Sequence, residues 1–373
     1  MNAFERAISP GDLVKLAAME CFASCALTYA RMVQPSGPRL PPDYWNLSYQ
    51  FRTLLSSLDY RQMTLEFHYG IRLAFERGGS RSLYGELSSD RAAILLCSAS
   101  RLPYFPPSML GLESAGFRHC VLLLGLDPDR ERCKIADPMA DFVGELACRE
   151  LELAGKPDGG SGREELHYFT LSAPPAGFAP PAPARIFRHA SRRNLVRFER
   201  EGEPASAETD RALQAEEPGR PGDRRAAWAE WFAGRNGGIR AFDRFRQDLE
   251  ATREWPRPAV DRWIERHHLT IASVWKLRSQ VWHAFADLGV MTDPQLREGG
   301  DRVRRIVRLW QSLNYRLHVY RTGARAGVDA AADIAPLLDD IRDGEHGFLR
   351  WLCEAGDALP GPNEEVEPAA IES

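Results

Sequence analysis

The chain has 373 residues, 44% apolar and 27% charged, which is enough for two domains at ~150 residues each and fits an ordinary globular protein. A formal net charge of −4 implies no broad cationic face and excludes nucleic acid as an expected partner. The longest apolar runs are strand-sized and the N-terminus carries Glu5, Arg6, Asp12 and Lys15, so neither a membrane span nor a secretory leader is expected, and the default location is cytoplasmic.

From Ser9 to about Val33 apolar residues are dense enough for helix, ending at Pro35, Gly37 and Pro38. Periodicity leaves open whether this is one helix or an extended piece followed by a helix from about Glu20. Trp45 to Leu58 and Arg72 to Arg77 read as helical or mixed. Ala92 to Ser98 is a compact apolar strand. Cys120 to Leu126 and Cys133 to Ala136 are two more, joined by the turn signal Asp127-Pro128-Asp129-Arg130. His167 to Ser172 and Ala184 to Arg188 predict further strands; the flexible run Gly155 to Gly162 precedes the first, and the Pro-rich stretch Ala173 to Pro183 lies between the two.

Composition changes near Arg200. Residues 200–224 are rich in Glu, Pro, Gly and Arg, with Leu213 the single large apolar residue, and read as an exposed linker. Beyond it Ala226–Gly234, Ile239–Arg253, Ala259–Leu288, Asp301–Thr322 and Ala330–Glu354 carry helical periodicity, punctuated by Pro256, Pro258, Gly289, Gly299-Gly300 and Gly323. The expected organisation is a catalytic domain over 1–199, a linker over 200–224, a helical domain over 225–355 and a flexible tail over 356–373. The fold class is α+β: helix plus antiparallel sheet, then a helical bundle.

The seven cysteines are odd in number, irregularly spaced and without a CxxC pair, which argues against a disulfide framework and against zinc. His119 stands before one predicted strand and Asp137 after the next, each nine positions from Pro128. A hairpin centred there places the two side by side, and a carboxylate fixes the ring orientation and stabilises the imidazolium. This is the base–orienter half of a nucleophilic triad. The other half is a thiol. Cys21 and Cys25 lie four apart on one side of any helix there; a helix starting near Cys21 lowers its pKa, and the free N–H groups can bind an oxyanion. Cys25 stays open as the alternative nucleophile.

A Cys on the first long helix, a His opening a strand in the phrase H-x-V-x-x-x-G-x-D, and x-A-D-P closing the next strand resemble papain-like domains. The pattern is closest to the butirosin-biosynthesis acyltransferase family and to the bacteriocin-processing cysteine peptidases. Leu102-Pro103-Tyr104, the His-to-Asp spacing and the helical second half favour the first. The resemblance implies a papain-like N-terminal fold and a Cys21–His119–Asp137 triad. The implied activity moves an acyl group from an acyl or peptidyl carrier-protein thioester to a small-molecule amine in specialised-metabolite biosynthesis. It calls for no cofactor and no metal. Family members commonly carry His before the Cys, where this chain has Glu20, and residues 3–20 contain neither Gln nor Asn to complete an oxyanion hole. The rivals are a cysteine thioesterase or peptidase with the same triad, and a non-catalytic binding protein on the same fold. A homodimer is open, because helical second domains often pair.

Several other residues carry simpler expectations. Cys120 is expected to point away from His119 into the core, with Cys97, Cys133, Cys148 and Cys353 as bystanders. His267-His268 and Trp263, Trp275 and Trp282 predict an aromatic helix packed in the core. Glu66-Phe67-His68 lacks metal-ligand spacing. Tyr104 either lines a substrate entrance or pins a loop.

Overall fold

The computed structural model describes residues 8–17, 19–50, 52–56, 61–88, 91–109, 118–156, 165–200, 236–322 and 330–359. The expected linker over 200–224, the helix over Ala226–Gly234 and most of the tail fall outside the described residues.

The N-terminal half is built on a six-stranded antiparallel sheet of order β3-β8-β4-β5-β6-β7. Its strands are β3 (Leu73–Gly78), β4 (Ala92–Cys97), β5 (His119–Asp127), β6 (Arg132–Asp137), β7 (Phe142–Ala147) and β8 (Leu166–Leu171). The central strands are apolar without alternation because both faces are covered. Helix α1 (Cys21–Val33) packs over the face carrying Ile94, Cys120, Leu122 and Leu124. Helices α3 (Ser80–Ser88) and α4 (Cys148–Gly155) cover the face carrying Leu95, Val121, Leu123 and Ile135. Helix α2 (Arg61–Tyr69) lies beside α1. There His68 Nε2 is 3.2 Å from the Asp43 carboxylate, whose pKa is driven far below the carboxylate range despite burial by Arg193 and His68.

Before α1 the described residues form a 3-10 turn at Pro10–Asp12 and no α-helix, which settles the open alternative at Ser9–Val33 in favour of an extended piece followed by a helix. Leu13 to Ala17 run as a strap whose N–H groups go to side chains of α1. Val14 N–H donates to Thr28 Oγ1 (3.0 Å) and Leu16 N–H to Ser24 Oγ (3.2 Å). Two buried hydroxyls one turn apart thus compete with helix formation upstream and start the helix at Cys21.

Three expectations are corrected. Trp45–Leu58, read as helical or mixed, holds no helix among its described residues: Ser48–Gln50 (β1) and Thr53–Leu55 (β2) form a hairpin, with Arg52 at φ 56° in its turn. Arg72–Arg77 contributes to strand β3, whose partner β8 satisfies its backbone. Ala184–Arg188 is no strand but part of helix α5 (Pro183–Arg200), which Pro183 opens and whose buried Ile186, Phe187, Ala190 and Phe198 keep helical spacing. A five-residue window is too short to separate the two periods.

The second half consists of β9 (Asn236–Gly237) and helices α6 (Ile239–Ala251), α7 (Arg257–Ala286), α8 (Asp293–Arg321) and α9 (Ala330–Asp357). β9 pairs with β1, so a three-stranded sheet of order β2-β1-β9 joins the halves. Gly299-Gly300 does not separate helices, as the sequence suggested, but lies inside α8. A Cβ on Gly299 would stand 2.2 Å from the Trp282 ring and 2.7 Å from Trp351, so the glycine admits two indoles against the helix backbone. The halves share one hydrophobic core. At its centre the Glu345 carboxylate accepts from Arg278 Nε (2.7 Å) and Nη2 (3.0 Å), Trp310 Nε1 (2.7 Å) and Trp45 Nε1 (3.2 Å). Arg278 Nη1 donates onward to the Asn46 carbonyl (2.9 Å), so this buried pair is fully hydrogen-bonded, as burial of charge requires. No helix among the described residues is long and apolar enough to cross a membrane.

Candidate active site

Cys21 is the first residue of α1, its side chain partly exposed. Glu20 occupies the N-cap position but makes no side-chain cap. Its buried carboxylate is turned elsewhere, accepting from Tyr44 Oη (2.7 Å) and from Ser56 Oγ. The first-turn N–H groups at the sulfur are therefore not consumed by the residue that precedes it.

His119 opens β5 and Asp137 closes β6. Their contact is direct: His119 Nε2 lies 2.7 Å from Asp137 Oδ2, the ring 8% exposed and the carboxylate fully buried. The route to it differs from the expected symmetric hairpin. The β5–β6 register pairs Asp127 with Arg132, Gly125 with Lys134 and, past a bulge at Leu124, Leu122 with Ala136. Continued, it sets Val121 beside Asp137, so His119 reaches the carboxylate diagonally from two residues along the same face. The turn centre is displaced because Asp127 Oδ1 caps the N–H groups of Asp129 and Arg130, and Glu131 turns back at φ 48°. The bulge then restores part of the offset.

The same imidazole has the Cys21 side chain as its second charged-state partner, which acts with Asp137 on its protonation. With Nε2 held by the carboxylate, Nδ1 is the nitrogen that remains for sulfur. Burial lowers the His119 pKa, but the hydrogen bonds to Asp137 and Cys21 outweigh it, and the value rises from 6.5 to about 10. The ring is thus favoured as an imidazolium beside the sulfur.

Asp137 is held on all sides. Oδ1 accepts from Met139 N–H (3.0 Å) and Ala140 N–H (3.2 Å), and Oδ2 accepts from the Tyr104 hydroxyl (3.0 Å) besides His119. Burial and the carboxylate push the Tyr104 pKa far up, so it stays a donor. Its ring stacks on Phe142, centroids 4.0 Å apart and planes at 7°, while Phe105 meets the His119 ring edge-on at 4.8 Å. The Leu102–Pro106 segment therefore clamps the His–Asp pair from outside. The sequence offered Tyr104 as an entrance residue or a loop pin; its contact with Asp137 is a positioning contact that only the folded loop reveals.

Cys25 is fully buried one turn along α1, its thiol facing the Cys120 carbonyl at 3.5 Å, and burial holds its pKa well above the ordinary value. It has neither access nor ionisability. Cys120 is buried in the core, as expected, and its thiol also interacts with Cys21. Strand alternation sends Cys120 toward α1, and the tip of α1 sits over the strand end, where sulfur meets two successive residues of β5. The hydrogen bond to Cys21, together with burial, raises the Cys120 pKa well above its ordinary value, so Cys120 remains a thiol.

On the aromatic helix Trp263 and His267 pack in the core as expected, whereas His268 is exposed. His267 is buried, Nδ1 2.8 Å from the Trp263 carbonyl and Nε2 accepting from Leu54 N–H (3.1 Å), and burial lowers its pKa to about 3. It is a neutral pin between α7 and the β1–β2 hairpin. Among the described residues no group of three or more His, Cys, Asp or Glu is arranged to hold a metal ion. No protein-family model matches this chain, and no curated protein matches it.

Proposed function

We propose that this protein is a papain-like, cysteine-dependent acyltransferase that moves an acyl group from a carrier-protein thioester to a small-molecule amine. The observation that carries the reading is a partly exposed thiol at the tip of α1, interacting with an imidazole that a buried carboxylate holds at 2.7 Å. Imidazolium, helix N-terminus and the Cys120 S–H all favour negative charge on the Cys21 sulfur.

In the first half-reaction the Cys21 thiolate attacks the thioester carbonyl, and the tetrahedral oxyanion faces the first-turn N–H groups of α1. The C–S bond to the carrier breaks, and His119 gives its proton to the departing thiolate. In the second, the amine attacks the Cys21 thioester, His119 takes the amine proton, and Cys21 leaves as thiolate. Asp137 holds the ring through both steps.

The test is intact-mass analysis after incubation with acyl N-acetylcysteamine thioesters, wild type beside Cys21→Ala. An acyl adduct confined to the wild type, stable in buffer and discharged when a primary amine is added, supports transfer. An adduct lost at once in buffer identifies a hydrolase with the same triad. Absence of an adduct with every acyl donor tried removes the enzymatic reading.

A further inference from the structure

Between the last turns of α7 and the middle of α8 there is a cavity of ≈ 240 Å³ lined by neither Cys21, His119 nor Asp137. Its floor is Trp282, Gly300, Val303 and Val307, and its rim carries Arg304, Arg308 and His283. Gly300 leaves the indole edge uncovered: Trp282 Nε1 lies 3.6 Å from where a Cβ on Gly300 would stand, and Arg304 Nη1 lies 3.3 Å from it.

Three observations point the same way. Trp282 is 8% exposed, its indole N–H donates to no protein acceptor among the described residues, and the nitrogen is open to the cavity and not sealed in the core. Arg308 is exposed and makes no ion pair among the described residues, while Arg304 shares its charge with Asp301 at 2.5 Å. No carboxylate lines the cavity, so its polar lining is dominated by N–H donors over an apolar floor.

We infer that this cavity binds a small organic anion, a phosphate ester or carboxylate with a flat apolar body. The head group takes the Arg308 guanidinium and the Trp282 N–H, and the body lies on Val303, Val307 and the indole face. The chemistry of triad and cavity is independent, so one can fail without the other.

The experiment is titration of ¹⁵N-labelled full-length protein with phenyl phosphate, benzoate, inorganic phosphate and benzyl alcohol, following the Trp282 indole N–H resonance assigned by Trp282→Phe. Saturable movement with phenyl phosphate or benzoate is expected, the tighter of the two identifying the head group. Arg308→Gln, an exposed substitution that leaves the core intact, weakens it roughly tenfold or more. Equal binding of benzyl alcohol reduces the cavity to an apolar crevice and overturns the inference. So does equal binding of inorganic phosphate, or an indole resonance that never saturates.

Discussion

Replacing Asp137 with Asn preserves the side-chain shape and removes the charge that holds His119. In the wild type burial opposes the protonated ring, and the hydrogen bonds to Asp137 and Cys21 raise its pKa from 6.5 to about 10. That rise corresponds to roughly 5 kcal/mol of preference for imidazolium in the fold. Without the carboxylate, burial is opposed by sulfur alone, and the midpoint is expected to fall well below that of the wild type. The assay is an NMR titration of the His119 Cε1–H in wild type and Asp137→Asn, with iodoacetamide labelling of Cys21 against pH in parallel. The same shift predicts the sign of a stability effect. Because the folded pKa lies above the unfolded one, the contribution is complete below pH 6.5 and disappears as pH rises through 10. The stability gap between wild type and variant in urea is therefore widest below pH 6.5 as long as the Asp137 carboxylate is ionised, and narrows toward pH 10. A His119 midpoint still above about 9 in Asp137→Asn, with unchanged labelling, refutes the assignment of Asp137 as the group that charges the ring.

Tyr104→Phe keeps the stack on Phe142 but removes one donor from Asp137. It is expected to cost about 1.5–3 kcal/mol in urea unfolding and to slow acyl-adduct formation on Cys21, measured by stopped-time mass spectrometry. Cys25→Ala removes a sealed thiol; it lowers stability by roughly 1 kcal/mol and leaves the pH profile of Cys21 labelling in place. Glu345→Gln leaves Arg278 buried without its counter-charge, and about 3–5 kcal/mol of unfolding free energy is expected to be lost in chemical denaturation.

Much of the fold was legible because the signals were long or doubly bounded. Ala92–Cys97 is an unbroken apolar run, and the four C-terminal helices repeat their apolar residues over many turns, so period and length agree. The failures are short pieces whose state is set by partners. β1 and β2 are three residues each and exist because β9, nearly 200 residues downstream, and His267 satisfy them. Ala184–Arg188 is the first turn of a longer helix, legible only with the rest of α5. Gly299-Gly300 resembles a break, and its actual role, accommodating Trp282 and Trp351, is a tertiary fact. The candidate triad was readable from chain order and from the strand ends carrying His119 and Asp137, although the predicted register was wrong by two residues. Same-face parity preserved the contact through that error, since a two-residue offset keeps a side chain on its face whereas a one-residue offset reverses it. Cys120 is the core residue that the sequence predicts, but its interaction with Cys21 was not legible. Alternation correctly sends it to the other face, and the sequence does not say that a helix tip will straddle the strand end there.

The position of that helix tip depends on residues far from the triad. Met19 N–H, two residues before the sulfur, donates to Ser273 Oγ of α7 at 2.9 Å, and Gln280 Nε2 of the same helix donates to the Lys15 carbonyl at 3.4 Å. Lys15 in turn pairs with Asp141 at 2.7 Å, in the turn just after Asp137. The strap leading into Cys21 is thus stitched on one side to α1, on the other to α7, and at its end to the loop of the carboxylate. A helical half that merely covered the sheet would leave the start of α1 to local capping, and Glu20 supplies no cap. Here α7 provides the missing anchor. The second half of the chain therefore helps determine where the thiol stands relative to His119, and substitutions at Ser273 act on the reactivity of Cys21 from 252 positions away in sequence.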